Sequence, residues 1–343
     1  MIAIRRPLLI SLLLTALWGA LLPVAHADVT PQIIRIGAAG QQYPFPVYAN
    51  MDLTQAGAGV RRVIILEHGV KRDADHYFEI GMQLMRKADL APSATLLLAP
   101  KFAIAADALA QYDMPLWTGS SWMQGKESSQ GRTGITSFQV LDDIAGYLRA
   151  GGFPGLQEIV FIGHSAGAQL MQRYAVLNNL DETVRSAGIN VRYVISSPSS
   201  YLYLDGDRPD GAGFAMVGNI LCPGYNNYRY GVEEMPAYGQ GHDGKQLFRR
   251  YAARNVAYLV GLRDNNPNHR WLDNACGARL QGSNRLERHR NYLRYEQFLA
   301  QKWDAPVTRT DIEVKGAGHD ASGIFESDAV AAALFPARQN VKQ

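Results

Sequence analysis

The sequence predicts an α/β fold in which helices cover both faces of a mostly parallel β-sheet. Two observations predict this fold. First, short apolar runs alternate with segments whose apolar residues recur every three or four positions, as strands alternate with helices around a parallel sheet. Second, Glu158-Ile-Val-Phe-Ile runs directly into Gly163-His-Ser-Ala-Gly167 and then into a helical pattern, which indicates a strand, a sharp turn and a helix.

The strands are predicted from apolar runs bounded by turn residues. In chain order these runs are 32–36, 46–51, 62–66, 94–99, 158–162, 191–195, 256–260 and 308–314. The helices are predicted from apolar stripes at helical spacing. These stripes occupy 77–88, 141–148, 170–177, 246–254 and 285–303, with a last helix through Val330 and Leu334. Two stretches, 100–136 and 201–244, show little periodicity, and the second is predicted to be an irregular insertion.

Residues 1–27 predict a cleaved secretory signal peptide. The pair Arg5-Arg6 precedes an almost wholly apolar run at 7–24, and Ala25-His26-Ala27 has the small-x-small form of a cleavage site. An uncleaved membrane anchor is the alternative, because the run is near the lower limit for spanning a bilayer. We therefore expect an exported protein, periplasmic or secreted, whose mature chain 28–343 forms one domain.

The charge of the mature chain excludes some partners. Cleavage would remove two arginines and no acidic residue, which lowers the formal net charge from +3 to +1. A nearly neutral protein has no electrostatic case for binding nucleic acid or an anionic membrane surface. The most basic run, 285–294, also carries leucines and tyrosines, and it predicts an amphipathic helix with a solvated face.

The two cysteines, Cys222 and Cys276, are predicted to pair, because an exported protein meets an oxidising compartment. The bond would join the predicted insertion to the loop beyond the 256–260 strand. The alternative is a metal site that adds His242 and His269, although no two of these four residues have ligand spacing.

Ser165 is the candidate nucleophile. A turn this tight brings neighbouring backbone very close, so Gly163 and Gly167 are needed for the room they leave. The serine oxygen would then stand at the carboxyl edge of the sheet and the amino end of a helix, where N–H groups favour negative charge. The alternative is an ordinary turn in which Ser165 caps the helix.

A serine hydroxyl needs a base within reach, and the base needs an acid partner. His319 follows the last predicted strand in a Gly-rich loop, and Asp264 follows the predicted strand before it. Both are therefore expected at the carboxyl edge of the sheet. The alternatives are a surface histidine and an Asx turn at Asp264. The other acids considered are Asp205, Asp207 and Asp273, and the weaker base candidates are His68 and His164.

Two backbone donors must face the oxyanion of a tetrahedral intermediate. The N–H of Ala166 follows the candidate nucleophile. The loop His68-Gly69-Val70 after the 62–66 strand offers further donors, of which the N–H of Val70 is preferred and that of Gly69 is the second candidate. The alternative is a simple strand-exit turn at this loop.

On these residues the chain resembles the α/β-hydrolase superfamily over about residues 58–335. The turn 163–167 is similar to its nucleophile elbow, and the order Ser165, Asp264, His319 matches its triad. The His-Gly pair after the third strand resembles its oxyanion loop. The resemblance implies an eight-stranded, mostly parallel sheet and hydrolysis through an acyl-enzyme without metal or organic cofactor.

The insertion lies where many members of that superfamily carry a cap. The tyrosines that would line such a cap are Tyr201, Tyr203, Tyr225, Tyr228, Tyr230 and Tyr238. Among them Tyr201 and Tyr228, together with His68, are the predicted substrate contacts. Aromatic walls suit an apolar or aromatic acyl or alcohol group, and they suit stacked sugars equally well.

The leading functional hypothesis is an exported serine hydrolase that cleaves carboxylic esters, with a small-molecule, lipid or polymer ester as substrate. A serine peptidase or amidase of the same fold is the first alternative, because ester and amide cleavage share this machinery. A non-catalytic secreted binding module is the second alternative, and it is less consistent with a candidate residue at every catalytic position.

Overall fold

The structure is a computed structural model that describes residues 30–336 except 56, 108, 110–112 and 219. The predicted signal peptide lies outside the described residues. Among the helices of the described part, none combines the length and apolar character needed to cross a membrane.

One eight-stranded sheet organises the chain. Its strands are β1 (Gln32–Ile36), β2 (Tyr43–Ala49), β3 (Arg62–Glu67), β4 (Thr95–Pro100), β7 (Glu158–His164), β8 (Asn190–Ser196), β11 (Asn255–Gly261) and β12 (Thr310–Val314), whereas β5 (Pro115–Leu116), β6 (Gln130–Gly131), β9 (Asp207–Asp210) and β10 (Gly213–Met216) lie outside it. The order across the sheet is β1-β2-β4-β3-β7-β8-β11-β12. Strands β1 and β2 pair antiparallel, as do β2 and β4, and the other pairs are parallel. The predicted fold class is therefore confirmed.

Helices cover both faces of this sheet. They are α1 (Ala74–Lys87), α2 (Ser137–Ala150), α3 (Ala166–Leu177), α4 (Leu180–Ser186), α5 (Gly244–Ala252), α6 (Cys276–Arg279), α7 (Arg285–Trp303), α8 (Ala321–Phe325) and α9 (Asp328–Leu334). Helices α1, α8 and α9 pack on one face through residues such as Leu84, Ile324 and Val330. Helices α2, α3, α5 and α7 pack on the other, where Tyr174 and Tyr292 are buried in a larger core.

The central strands carry the site. Strand β7 is flanked by β3 and β8 in parallel register, and all but the first of its residues are buried. Its carboxyl end, with those of β3, β11 and β12, points to one edge of the sheet, because parallel strands share their direction. The loops that leave these strands therefore meet at that edge.

The predicted set of helices is incomplete. The last helix through Val330 and Leu334 is found as α9, with Ser327 at its N-cap position, whereas the short helix α8 before it was not predicted. The short helices α4 and α6 are absent from the prediction, because segments this brief contain too few turns for an apolar stripe to stand out.

The predicted insertion is partly core. Tyr201 and Tyr203 at its start are completely buried, and their rings pack against Tyr292 and Tyr295 of α7 at centroid distances of 4.3 Å. The rest of the insertion contains the β9–β10 hairpin and a short 3-10 helix at Ala237–Gly239. Aromatic rings bury large apolar areas when they pack in a core. Tyr201 and Tyr203 therefore pack against α7 and do not line a cap.

Cys222 and Cys276 form the predicted disulfide, with their Cα atoms 5.9 Å apart. The bond joins the insertion to the first residue of α6. It therefore fastens the insertion to the segment that follows β11.

Candidate active site

Ser165 lies at the junction of β7 and α3 with φ 57° and ψ −114°, a backbone conformation that residues other than glycine rarely adopt. A Cβ added at Gly163 would lie 2.3 Å from the Gly167 carbonyl oxygen. A Cβ at Gly167 would lie 2.7 Å from the carbonyl oxygens of Glu67 and His68. Both positions flanking the serine therefore require glycine, as the sequence motif predicts.

The side chain of Ser165 is not used as a helix cap. It occupies the N-cap position of α3, but it makes no capping hydrogen bond. Its Oγ lies instead 2.9 Å from Nε2 of His319. The geometry thus disfavours the capping alternative and pairs the hydroxyl with an imidazole.

The structure brings together three residues that are far apart in sequence. Nδ1 of His319 lies 2.8 Å from Oδ2 of Asp264, while Nε2 of the same ring faces the Ser165 hydroxyl. Asp264 follows β11 and His319 follows β12, and these neighbouring parallel strands deliver both side chains to one edge. A continuous hydrogen-bonded chain therefore runs from carboxylate to hydroxyl.

The three competing acids bind elsewhere. Asp205 and Asp207 both accept hydrogen bonds from Lys302. Asp273 accepts from Arg229 and from the hydroxyl of the adjacent Tyr230. Each of these carboxylates is thus held by the insertion or by α7, whereas Asp264 is the carboxylate hydrogen-bonded to the imidazole.

Arg285 completes the polar chain, and sequence reasoning missed it. Its fully buried guanidinium lies 3.3 Å from Oδ1 of Asp264 and 3.2 Å from Nδ1 of His269, and it donates to the carbonyl oxygen of Trp271 at 2.7 Å. The predicted amphipathic helix is found as α7, and its solvated face includes Arg290 but neither Arg285 nor Arg288, which is 0% exposed. The burial of Arg285 depends on the carboxylate of Asp264, which follows a distant strand, and local spacing does not reveal this pairing.

The pKa values of the acid and the base follow from these contacts. Burial raises the pKa of Asp264, but the hydrogen bond from His319 and the charges of His319 and Arg285 outweigh it, so the pKa lies below its ordinary value. Burial lowers the pKa of His319, and the charge of Arg285 adds to this effect against the opposing influence of Asp264. At neutral pH the site therefore holds an ionised carboxylate beside a neutral imidazole.

The loop after β3 reaches the same edge. Val70 and Ala166 both line a cavity with Ser165. Ala166 is the first residue of α3, so its N–H has no acceptor within the helix. Gly69 is packed closely, since a Cβ there would lie 2.9 Å from the hydroxyl oxygen of Tyr77.

His68 is a structural residue in this loop and not a substrate contact, which corrects the prediction. Its ring is 0% exposed; Nδ1–H donates to the carbonyl oxygen of Gly69, and Nε2 accepts from the N–H of Phe102. Burial lowers the pKa of His68 to about 4, so the ring is neutral. Its two hydrogen bonds tie the β3 loop to the segment after β4.

The neighbouring His164 is also buried. Its Nδ1 lies 2.9 Å from the hydroxyl of Ser196, and its ring centroid is 4.9 Å from that of His319. Burial and the charges of His319 and Arg285 hold the pKa of His164 well below its ordinary value. A neutral His164 therefore packs against the imidazole without competing for its proton.

Two cavities meet at Ser165. The first measures about 200 Å³, and its wall includes His319, Lys71 and His76. The second measures about 220 Å³, and its wall includes Ala166 and Gln169. The residues common to both walls are Val70, Ser165, Arg270 and Trp271. Both cavities are smaller than the roughly 300–1,000 Å³ of drug-sized ligand sites, so each suits a small group.

The predicted tyrosine contacts lie away from these cavities. Tyr201 is 0% exposed within the α7 core, and Tyr228 donates its hydroxyl hydrogen to the carbonyl oxygen of Gln124. Neither lines the wall of either cavity. The aromatic side chain common to both walls is Trp271, which is 48% exposed, and Tyr77 lines the first cavity as well. Trp271 lies seven residues after Asp264 and was not predicted as a substrate contact.

The model of the alpha/beta hydrolase family matches residues 14–333. The chain belongs to the alpha/beta hydrolase family. The predicted resemblance is therefore confirmed, and the eight-stranded sheet of this family member has the expected mixed character. No curated protein matches the sequence significantly.

Two solved structures share the fold of this hydrolase-family chain. One is poly(aspartic acid) hydrolase-1 from Sphingomonas sp. KT-1, with 18% identity and a TM-score of 0.60 over 90% of this chain and 98% of that one. The other is LpqC, a poly(3-hydroxybutyrate) depolymerase from Bordetella parapertussis, with 19% identity and a TM-score of 0.60 over 87% of this chain and 85% of that one. At these identities the likeness concerns the fold.

Proposed function

We propose that this protein is an exported serine hydrolase that cleaves carboxylic esters through an acyl-enzyme. The observation that carries the proposal is the chain of hydrogen bonds from Asp264 through His319 to Ser165, with distances of 2.8 and 2.9 Å. Each link has the geometry that proton transfer requires. The positive φ of Ser165 supports the same role, because strained backbone concentrates at functional sites.

In the proposed reaction the same catalytic groups act twice, first when the acyl-enzyme forms and again when water hydrolyses it. His319 takes the proton of the Ser165 hydroxyl as the oxygen attacks the ester carbonyl, and Asp264 stabilises the imidazolium. The N–H groups of Val70 and Ala166 hold the oxyanion. His319 then protonates the departing alcohol oxygen, and the C–O bond of the ester breaks. Water, activated by the same imidazole, attacks the acyl-enzyme and releases the acid.

This chemistry assigns the two cavities to the two halves of the substrate. The departing oxygen must reach Nε2 of His319, which lines the first cavity only. The carbonyl oxygen must reach the N–H of Ala166, which lines the second cavity only. We therefore assign the alcohol to the first cavity and the acyl chain to the second, which is the other cavity that opens on Ser165.

Export is part of the proposal. The disulfide between Cys222 and Cys276 supports an oxidising compartment, in agreement with the signal peptide predicted for residues 1–27.

A serine-directed fluorophosphonate probe tests the proposal. Wild-type protein should be labelled and should hydrolyse short 4-nitrophenyl esters, whereas Ser165→Ala should lose labelling and at least about a thousandfold in kcat. Ser186→Ala, a serine on the exposed side of α4, is the matched control and should behave as wild type.

Three outcomes would count against the proposal. Labelling that persists in Ser165→Ala would place the nucleophile elsewhere. Folded wild-type protein that neither reacts with the probe nor hydrolyses esters would favour a binding module. Hydrolysis of peptide amides with none of esters would favour the amidase alternative.

A further inference from the structure

Arginines surround the second cavity in excess over acids. Arg229 and Arg270 line its wall, and Asp273 is the one carboxylate among its described lining residues. Asp273 is already engaged, because Arg229 donates to it at 3.0 Å. Arg270 is exposed and lies against the ring of Trp271, with its Cζ 5.2 Å from the ring centroid.

A completely buried arginine stands directly behind this wall. Arg173 donates to the carbonyl oxygen of Met123 at 2.8 Å, to Oε1 of Gln169 at 3.4 Å and to the hydroxyl of Ser200 at 3.2 Å. Each acceptor is uncharged, and Met123 and Gln169 themselves line the cavity. Its Nε has no hydrogen-bond partner among the described residues.

A second buried arginine braces the opposite part of the wall. Arg288 donates to the carbonyl oxygens of Gly282 and Ser199, and Ser199 lines the cavity. Burial lowers the pKa of both Arg173 and Arg288 to about 10, so both guanidiniums remain charged at neutral pH. Neither has an ion-pair partner among the carboxylates that the structure describes.

The charges at the second cavity therefore do not cancel. Arg229 and Arg270 line the wall, and Asp273 is the one carboxylate among its described lining residues. Behind the wall, Arg173 and Arg288 are buried, whereas Glu287, the further carboxylate whose charge acts on Arg288, is exposed to solvent. The nearby pair of Arg285 and Asp264 is internally neutral. Burying a cation without a counter-ion is costly, and the field of such cations is weakly screened because water is excluded. A cavity with this field favours an anionic occupant.

Resting on the proposed function, we infer that the acyl half of the substrate carries a carboxylate, so that the preferred substrates are monoesters of short dicarboxylic acids. Arg270 lies in the wall shared by the two cavities and contacts the carboxylate of the substrate directly. Arg173 and Arg288 lie behind the wall and contribute a positive electrostatic field in the cavity. The small volume of the cavity restricts the acyl group to a short chain.

Two isosteric esters test this inference. Methyl hydrogen succinate and methyl 4-methylpentanoate are methyl esters that differ in one group: an isopropyl group replaces the carboxylate in the second. Both are stable enough for their enzymatic hydrolysis to be followed in a pH-stat. Wild-type kcat/KM should be at least about tenfold higher for the acidic ester, and added salt should reduce this preference.

Variants of Arg270 test whether this residue causes the preference for the acidic ester. Arg270→Gln should lower the ratio of the two kcat/KM values by about tenfold, and Arg270→Lys should retain most of it. Arg149→Gln removes an equal charge from the exposed end of α2 and should leave the ratio unchanged.

The outcomes separate this inference from the proposed function. Ser165-dependent hydrolysis with equal or greater activity on the neutral ester would overturn the inference and leave the proposed function intact. A wild-type preference that survives in Arg270→Gln would overturn the role of Arg270. Absence of Ser165-dependent hydrolysis of any ester would overturn the proposed function itself.

Discussion

At the scale of single residues, burial and fixed charge decide which groups are ionised at the site. Arg285 is the clearest example, because one buried guanidinium contacts the candidate acid, His269 and the carbonyl oxygen of Trp271. It thereby links the polar chain of the site to the wall of both cavities. We regard it as a positioning residue, since it acts on Ser165 only through Asp264 and His319.

The pH dependence of activity should report this arrangement. Neutral His319 is the proposed base, so activity is lost as pH falls through its pKa, which is depressed by burial and by Arg285. The acidic limb of kcat/KM should therefore have its midpoint below about pH 6.5, the ordinary histidine value. In Arg285→Gln the depressing charge is gone, and the midpoint should move to higher pH while kcat falls.

A charge on the same helix provides the control for this pH profile. Arg290 of α7 is 53% exposed and pairs with Glu313 at the surface, so Arg290→Gln should leave the midpoint in place. An unchanged profile in folded Arg285→Gln would contradict the positioning role, because loss of a merely structural contact would lower activity equally at every pH.

At the scale of elements, the strand–turn–helix unit depends on backbone clearance. The Ser165 N–H donates to the carbonyl oxygen of Ser196 at 2.9 Å, which ties the turn to β8. The helix begins immediately after the serine, so its free N–H groups and the serine oxygen face the same edge. The elbow is thus held between two strands and one helix, and the hydrogen bond between the side chains of His164 and Ser196 adds a second tie to β8.

Gly163→Ala should therefore damage both folding and activity. The added Cβ would lie 2.3 Å from a backbone oxygen that cannot move without displacing α3. We expect a loss of about 1–3 kcal/mol in the free energy of unfolding, measured in urea, together with a large fall in kcat.

Gly146→Ala is the matched substitution for this prediction. Gly146 lies within α2 and has open space around its Cβ position, so alanine there should raise stability by about 0.5–1 kcal/mol. If Gly163→Ala were as stable and active as wild type, the steric account of the elbow would be wrong.

At the scale of the whole molecule, the insertion is fastened at several points. Arg208 is completely buried and donates to the carbonyl oxygens of Asp205, Tyr225 and Tyr230, which gathers the insertion around one guanidinium. The disulfide then ties Cys222 to Cys276 across 54 residues of sequence. The segment that carries Trp271, the shared wall of both cavities, lies within this closed loop.

Removing the disulfide should destabilise the protein. A loop of this length restricts the unfolded chain, so the double variant Cys222→Ser/Cys276→Ser should lose about 2–4 kcal/mol in the free energy of unfolding. Urea unfolding with and without a reductant measures it: reduction should weaken wild type to the level of the double variant and leave that variant unchanged. Insensitivity of oxidised wild type to complete reduction would contradict this role.

Much of the fold and site was predictable because its signals are local. The alternation of apolar runs and stripes predicts all eight strands of the sheet, and the 285–303 helix is found as predicted. The Gly-x-Ser-x-Gly turn needs only its own residues to specify a tight strand-to-helix junction. Loops at the carboxyl ends of parallel strands then lead to His319 and Asp264 without any coordinates.

The rest depended on contacts between distant segments. Local patterns are enough to predict the α/β class, the sharp turn at Ser165 and the short list of acids and bases at one sheet edge, because backbone patterns act over a few residues. The folded arrangement was needed to show that Asp264 faces the imidazole and that Tyr201 and His68 are internal supports. It was needed equally to show that arginines of α3 and α7 are buried behind a cavity. Burial and charge pairing are set by neighbours far away in sequence, so their consequences appear only when the chain is folded.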